Sequence, residues 1–281
     1  MPEEPGAFGG SARRQPGRYR PWTQGQVRVV DAWPTHRNQP VSVALSPGGD
    51  RLALSVGQRL SVLDITAGPR AAPQFQVACA LAPALTWSPG GHKLAFRDEG
   101  GQGRLVELSG PVPASGMEAR IAALGPVNAM AFAPDDERLA ILAQSLPGRM
   151  TLRLIKPNRE VIWERALTRN RVSGYHLEGV NLALSPDGSR LACTTGTSTA
   201  WVFDTVTGDL VGQFDEHSKT VTGLSWMDDE WILSASADAT LRAWRPGDSV
   251  SSTVVETIAA TGMAFVRERR TALIWSARGE L

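Results

Sequence analysis

One segment of this chain occurs six times. VSVALSPGGDRLAL, beginning at Val41, recurs as ALTWSPGGHKLAF from Ala84, AMAFAPDDERLAI from Ala129 and NLALSPDGSRLAC from Asn181. Looser copies follow as GLSWMDDEWILS from Gly223 and GMAFVRERRTALIW from Gly262. Anchored at Ser46, Ser88, Ala133, Ser185, Trp226 and Val266, the copies are spaced by 42, 45, 52, 41 and 40 residues. Few folds accept such a period, because each copy must be one unit that packs against the next.

The residues within a copy say what the unit is. An alternating run such as VSVAL or NLAL reads as a half-buried strand. The Pro-Gly-Gly or Pro-Asp-Gly after it is a tight turn, with proline presetting φ and glycine taking the left-handed geometry. A second apolar run returns antiparallel. A third follows, as in RLSVLDI from Arg59 and AWVFDT from Ala200, and a more polar fourth, as in QFQVACAL, EVIWERAL, DLVGQF and STVVETI. Four antiparallel strands per period make a sheet too thin to be dry by itself, so such sheets fan about an axis. The expected fold is all-β: a β-propeller of four-stranded antiparallel blades. It has six blades with an incomplete last one, or is part of a seven-bladed propeller. Two β-sandwiches are the alternative, but they do not require so regular a spacing.

The stretch EHSKTVTGLSWMDDEWILSASADATLRAWR, Glu216 to Arg245, closely resembles one WD repeat. Four residues match the structural tetrad of that family: His217 before the first strand, Ser234 on the second, Asp238 in the following turn and Trp244 on the third. The resemblance implies a hydrogen-bonded chain through Trp244, Ser234, His217 and Asp238, and such a chain is physically reasonable because a buried indole and imidazole need partners. A hydrolytic reading of the same His, Ser and Asp is weaker: the serine lies mid-strand and no oxyanion-hole sequence accompanies it. Other copies depart from the pattern. The fourth has His176 and Phe203-Asp204, but Cys193 and Thr197 replace the serine and the aspartate. The first has His36 and Leu63-Asp64. TWSPGGHKLAFRDE, from Thr86, also resembles the repeats of TolB-type propellers.

The resemblance covers residues 26–281, and residues 1–25 read as a disordered leader. In WD propellers the N-terminal strand supplies the outer strand of the last blade, and QVRVVDAW, Gln26 to Trp33, fits that role. The last copy stops at RGEL, too short for a full third strand.

Composition limits the function. Twenty-nine basic residues against twenty-eight acidic ones argue against a nucleic-acid-coating protein, which needs a concentrated basic surface. The opening residues hold no apolar core of signal-peptide length, and no stretch approaches a membrane span. Cys79 and Cys193 lie far apart in apolar runs and read as buried free thiols, which favours a reducing compartment. An Ala-, Arg- and Gly-rich chain fits a GC-rich bacterial genome. A cytoplasmic, bacterial protein is therefore expected.

No phosphate-cradling GxxxxGK[ST], no HExxH and no CxxC pair occurs. Gly100 to Gly103 reads as a hairpin turn, the trio Asp228, Asp229 and Glu230 as solvated turn surface, and the four histidines lack ligand spacing. No catalytic residue, metal site or cofactor is expected. What remains is recognition. The longest spacing contains LTRNRVSGYHLEG, Leu167 to Gly179, where Arg169, Arg171 and Tyr175 combine charge with an aromatic anchor. Arg13, Arg14, Arg18 and Arg20 mark the leader. The expected function is a non-catalytic scaffold or sensor that binds another protein. The alternative is a ligand-binding or enzymatic propeller working through its central channel.

Overall fold

The turns that follow the first strands set the geometry of everything else. Ser46 Oγ accepts the Arg51 N–H at 2.9 Å, Ser88 Oγ that of Lys93 at 3.2 Å and Ser185 Oγ that of Arg190 at 3.0 Å, so the serine brackets the reversal. The tightest turn residue has positive φ in each case: Gly49 at 70°, Gly91 at 71° and Gly188 at 71°. That left-handed geometry carries no Cβ penalty for glycine. The third copy puts Asp136 there instead, at φ 61°.

The structure is a computed structural model. It describes residues 41–66, 72–80, 84–108, 118–120, 126–146, 149–156, 158, 160–168, 179–248, 253–257, 259–266 and 271–275. All belong to the unit Pro34–Leu281. Blade 1 holds β1 (Val41–Leu45), β2 (Arg51–Val56), β3 (Arg59–Asp64) and β4 (Phe75–Ala78). Blade 2 holds β5 (Leu85–Trp87), β6 (Lys93–Arg97), β7 (Gly103–Glu107) and β8 (Glu118–Arg120), and blade 3 holds β9 (Val127–Phe132), β10 (Leu139–Leu146), β11 (Arg149–Ile155) and β12 (Val161–Thr168). Blade 4 holds β13 (Val180–Leu184), β14 (Arg190–Thr195), β15 (Ala200–Asp204) and β16 (Leu210–Phe214). Blade 5 holds β17 (Val221–Trp226), β18 (Ile232–Ser236), β19 (Thr240–Trp244) and β20 (Thr253–Glu256). Blade 6 is the pair β21 (Gly262–Val266) and β22 (Thr271–Trp275).

Every sheet is antiparallel, with its strands in chain order. The first strands lie side by side from blade to blade: β1 beside β5, then β9, β13, β17 and β21. The all-β propeller read from the sequence is therefore the observed architecture, with five four-stranded blades and a two-stranded sixth among the described residues.

The core is not central but lies between blades, in a separate apolar layer at each junction. Ala53, Leu60 and Val62 of blade 1 pack on Trp87, Leu94 and Phe96 of blade 2. Ala192, Val202 and Phe214 of blade 4 pack on Trp226, Ile232 and Trp244 of blade 5. Burial on this scale contributes roughly 1.5–3 kcal/mol per large side chain. Glycine lets a junction close tightly where Gly208 meets the Trp163 indole: a Cβ there would lie 2.7 Å from the ring.

One register differs from the sequence reading. Trp226 pairs with Ile232 as Trp87 pairs with Leu94 and Leu184 with Leu191. Trp226 thus matches Trp87, and the residue equivalent to Ser88 is Met227, one place later. The fifth hairpin lacks Pro-Gly and is one residue shorter, which hid the shift. Gln26 to Trp33, the leader, the end of the chain, His36 and His176 lie outside the described residues.

Candidate functional site

Blade 5 carries the polar constellation. Ser234 sits in the middle of β18 and Trp244 ends β19, so the strand pairing places them on one face of the sheet. The Trp244 indole N–H donates to Ser234 Oγ at 3.1 Å. Ser234 Oγ lies 2.9 Å from His217 Nε2, and His217 Nδ1 lies 3.0 Å from Asp238 Oδ2. One assignment of protons satisfies every member: Ser234 donates to Nε2, and a neutral imidazole donates from Nδ1 to the carboxylate.

Two more groups complete the turn. Asp238 Oδ1 accepts the Thr240 hydroxyl at 2.6 Å and the Thr240 N–H at 2.9 Å, and Oδ2 also accepts the Ser218 N–H at 2.9 Å. Phe214, from β16 of the preceding blade, stacks on Trp244 with centroids 4.5 Å apart and planes 6° apart, and meets His217 edge-on at 5.7 Å. The constellation therefore ties two blades together. Sequence reasoning missed Ser218, Thr240 and Phe214, because a hydroxyl or a phenyl ring at a strand end carries no signal until its neighbour is known.

The electrostatics agree with an enclosed, uncharged imidazole. Burial lowers the His217 pKa from its ordinary value, and Asp238 only partly opposes this. For Asp238, burial acts to raise the pKa, but the Thr240 hydroxyl, the Ser218 N–H and His217 together hold it far below the usual carboxylate range. Ser234 is 0 % exposed. A nucleophile must meet its substrate, and this hydroxyl faces only protein. The chemistry available to these four side chains is internal hydrogen bonding.

Among the other charged groups, most ion pairs lie within one blade, and a few bridge neighbouring blades. Asp136 Oδ1 in the third turn accepts the Gly90 N–H at 3.2 Å, and its Oδ2 meets Lys93 Nζ at 3.2 Å and His92 Nε2 at 3.0 Å. Asp229 Oδ1 accepts the Asp187 N–H at 2.8 Å, across the boundary of blades 4 and 5. Asp228 Oδ1 brackets its own turn by accepting from Glu230 N and Trp231 N, and Glu230 pairs with Arg245 at 3.2 Å. The acidic trio is thus partly structural, not only a solvated turn. Gly100 to Gly103 forms the β6–β7 hairpin. Cys79 and Cys193 are buried and free.

Among the described residues no three His, Cys, Asp or Glu side chains converge to hold a metal ion, and no helix is long and apolar enough to cross a membrane. Arg169, Arg171 and Tyr175 lie outside the described residues.

Residues 208–245 match the family described as "WD domain, G-beta repeat". WD repeat-containing protein 1 of Gallus gallus is 26% identical over 210 residues, covering 73% of this chain and 32% of that protein. Cell division cycle protein cdt2 of Schizosaccharomyces pombe is 38% identical over 85 residues, covering 27% of this chain and 16% of that protein. The chain thus spans about a third and about a sixth of the lengths of these two relatives. Among solved structures, the β-propeller domain of Cps50 (Swd1) from Myceliophteria thermophila superposes with a TM-score of 0.66 at 15% identity, over 84% of this chain and 80% of that one. A chain of the Mitotic Checkpoint Complex gives 0.67 at 18% identity, over 87% and 74%. These likenesses concern the fold. The architecture is that of a β-propeller, and residues 208–245 carry the match to a WD repeat.

Proposed function

We propose that this protein is a non-catalytic scaffold whose loops bind another protein. The observation that carries the reading is the enclosure of His217 and Ser234: the one constellation able to suggest hydrolysis is used up inside the fold. What blades 1 to 5 present outward is backbone turns and loops held on a rigid frame, which suits recognition. Support also comes from the checkpoint-complex chain, which was solved within an assembly of proteins. A reducing, cytoplasmic setting is supported by two buried free thiols. The Ala-, Arg- and Gly-rich composition supports a bacterial source.

Within this reading Arg169, Arg171 and Tyr175 form the binding loop. The test is affinity capture with the full chain and with a triple alanine variant at those positions. A stoichiometric partner retained by the first and lost by the second, at unchanged melting temperature, is the expected result. Turnover of a small substrate by the purified chain, with no protein retained, overturns it.

A further inference from the structure

The turn between β9 and β10 departs from the other hairpins. Gly49, Gly91 and Gly188 take the left-handed place in blades 1, 2 and 4, whereas blade 3 puts Asp136 there at φ 61°. Glycine takes this geometry freely and an aspartate at a cost, and such outliers persist where their surroundings hold them. What holds Asp136 lies on the neighbouring blade. Its Oδ1 accepts the Gly90 N–H at 3.2 Å, and its Oδ2 lies 3.2 Å from Lys93 Nζ and 3.0 Å from His92 Nε2. Its backbone carbonyl accepts a further Lys93 bond at 3.0 Å. All three partners belong to blade 2.

Gly90 makes room for the imidazole. A Cβ there would lie 2.6 Å from His92 Cε1 and Nδ1, so only bare backbone lets the ring rest against it with Nε2 at the carboxylate. The His92 side chain is 42% exposed and that of Asp136 20%, so protons reach the ring while the carboxylate is largely covered. Burial acts to raise the Asp136 pKa, but the Ser88 hydroxyl, the Gly90 N–H and Lys93 together hold it below its ordinary value. The carboxylate therefore keeps its charge in mild acid. The other charged groups of the adjoining turns are engaged or exposed: Asp135 pairs with Arg138, Asp50 accepts the Ser46 hydroxyl, Arg51 donates to the Leu108 carbonyl, and Glu137 is exposed. Lys93, on the same Oδ2, is the positive group that opposes a second charge there.

We propose that His92 and Asp136 form a proton-sensitive latch between the turns of blades 2 and 3, which tightens when the imidazole takes up a proton. Histidine is the side chain whose charge ordinarily changes between about pH 5 and 8. A neutral ring carries one N–H, and only one of its two tautomers aims that N–H at Oδ2. A charged ring donates from both nitrogens and makes a charge-assisted bond, roughly twice as strong as a neutral one. The latch is therefore tight at the acid end of that range and loosens as pH rises through it. This direction is opposite to that of His217, whose proton uptake weakens the fold. The inference is independent of the scaffold reading, since a partner protein can bind whether or not these two turns are latched.

The Gly90 N–H reports the latch, because it donates to Asp136 Oδ1. The test is its hydrogen–deuterium exchange in the full chain, followed by NMR at about pH 7.5 and about pH 5.5 and divided by the intrinsic rate at each pH. In the wild type the resulting protection rises about threefold on acidification, the scale of a partly exposed ion pair. His92→Gln keeps the protection of the higher pH and shows no rise. Asp136→Asn, which keeps the shape and removes the charge, is poorly protected at both. Gly90→Ala displaces the ring and leaves the carboxylate in place, so it too abolishes the rise, and it serves if Asp136→Asn does not fold. Wild-type protection that is flat or falls on acidification overturns the proposal. So does a rise of equal size in His92→Gln.

Discussion

The Trp226 indole N–H donates to the Ala183 carbonyl at 2.9 Å, across the boundary between blades 4 and 5. Trp87 repeats the bond to Ala44 one blade boundary in from the other end. Both tryptophans end a first strand, both are buried, and each covers the previous blade with its ring while satisfying a carbonyl with its nitrogen. Trp226→Phe should keep most of the packing and lose the bond, at about 1 kcal/mol. Trp226→Ala should cost about 3–5 kcal/mol through the cavity. Urea unfolding of the two variants measures the split; no loss in Trp226→Phe would show that the nitrogen contributes nothing.

The polar chain in blade 5 should behave as a unit. Asp238→Ala or His217→Ala strands buried polar groups and should cost roughly 1–3 kcal/mol. Ser234→Ala leaves both the Trp244 indole and His217 Nε2 without a partner. Adding Trp244→Phe removes one of those orphans, so the double variant should lose less than the sum of the two single losses. Strict additivity in thermal or chemical unfolding would mean that the bonds are energetically independent.

Acid should weaken the fold through the same residues. His217 titrates below its ordinary value in the folded chain, so the unfolded chain binds its proton first as pH falls through about 6.5. Stability is fully present above that pH and declines on acidification. Asp238, whose folded pKa is also lowered, adds a second loss that begins as pH falls through the ordinary aspartate range and continues below it. Chemical denaturation at about pH 8 and about pH 5 should show a smaller drop for His217→Gln than for the wild type. An equal drop would assign the acid sensitivity elsewhere.

Ala239 is held at φ 65°, in the turn that presents Asp238. A side chain there costs roughly 1–2 kcal/mol relative to right-handed geometry, and glycine avoids most of it. Ala239→Gly should therefore raise stability, by up to about 1 kcal/mol after the entropy of the freer unfolded chain is subtracted. A lower melting temperature for this variant would contradict the strain.

Cys79 and Cys193 should both resist alkylation in the native protein and react in denaturant. Burial raises both thiol pKa values, the second with no opposing influence, and neither sulfur is exposed. Labelling of either residue at native rates comparable to free cysteine, read by mass spectrometry, would place it nearer the surface than the fold allows.

The legibility of this fold in its sequence varies from blade to blade for a physical reason. Hairpins closed by Ser-Pro and glycine announce themselves, which made blades 1, 2 and 4 readable and let the period emerge. Blade 5 has Met227 and Asp228 where the others have Ser and Pro, so its anchor was placed one residue early. The short β8, Glu118–Arg120, lies in a stretch with no alternation to detect. The polar constellation was visible only in blade 5 because the other blades replace both of its partners at once. Where blade 5 has Trp244 and Ser234, the equivalent positions hold Phe203 and Cys193, Ile155 and Ile141, Val106 and Phe96, and Leu63 and Leu54. Swapping both ends of a buried hydrogen bond for apolar groups is nearly neutral. The fold survives, but the pattern a family match depends on does not. This is why the family match falls on residues 208–245.

Because sheet-to-sheet contacts run from each blade to the next, damage should travel only one step. Blade 6, with two strands and a single covered face among the described residues, has the least holding it. Its amides should be the first to trade hydrogen for deuterium, with blades 3 and 4 the last. Such a protein would loosen blade by blade in order of how much each has packed around it, and not all at once.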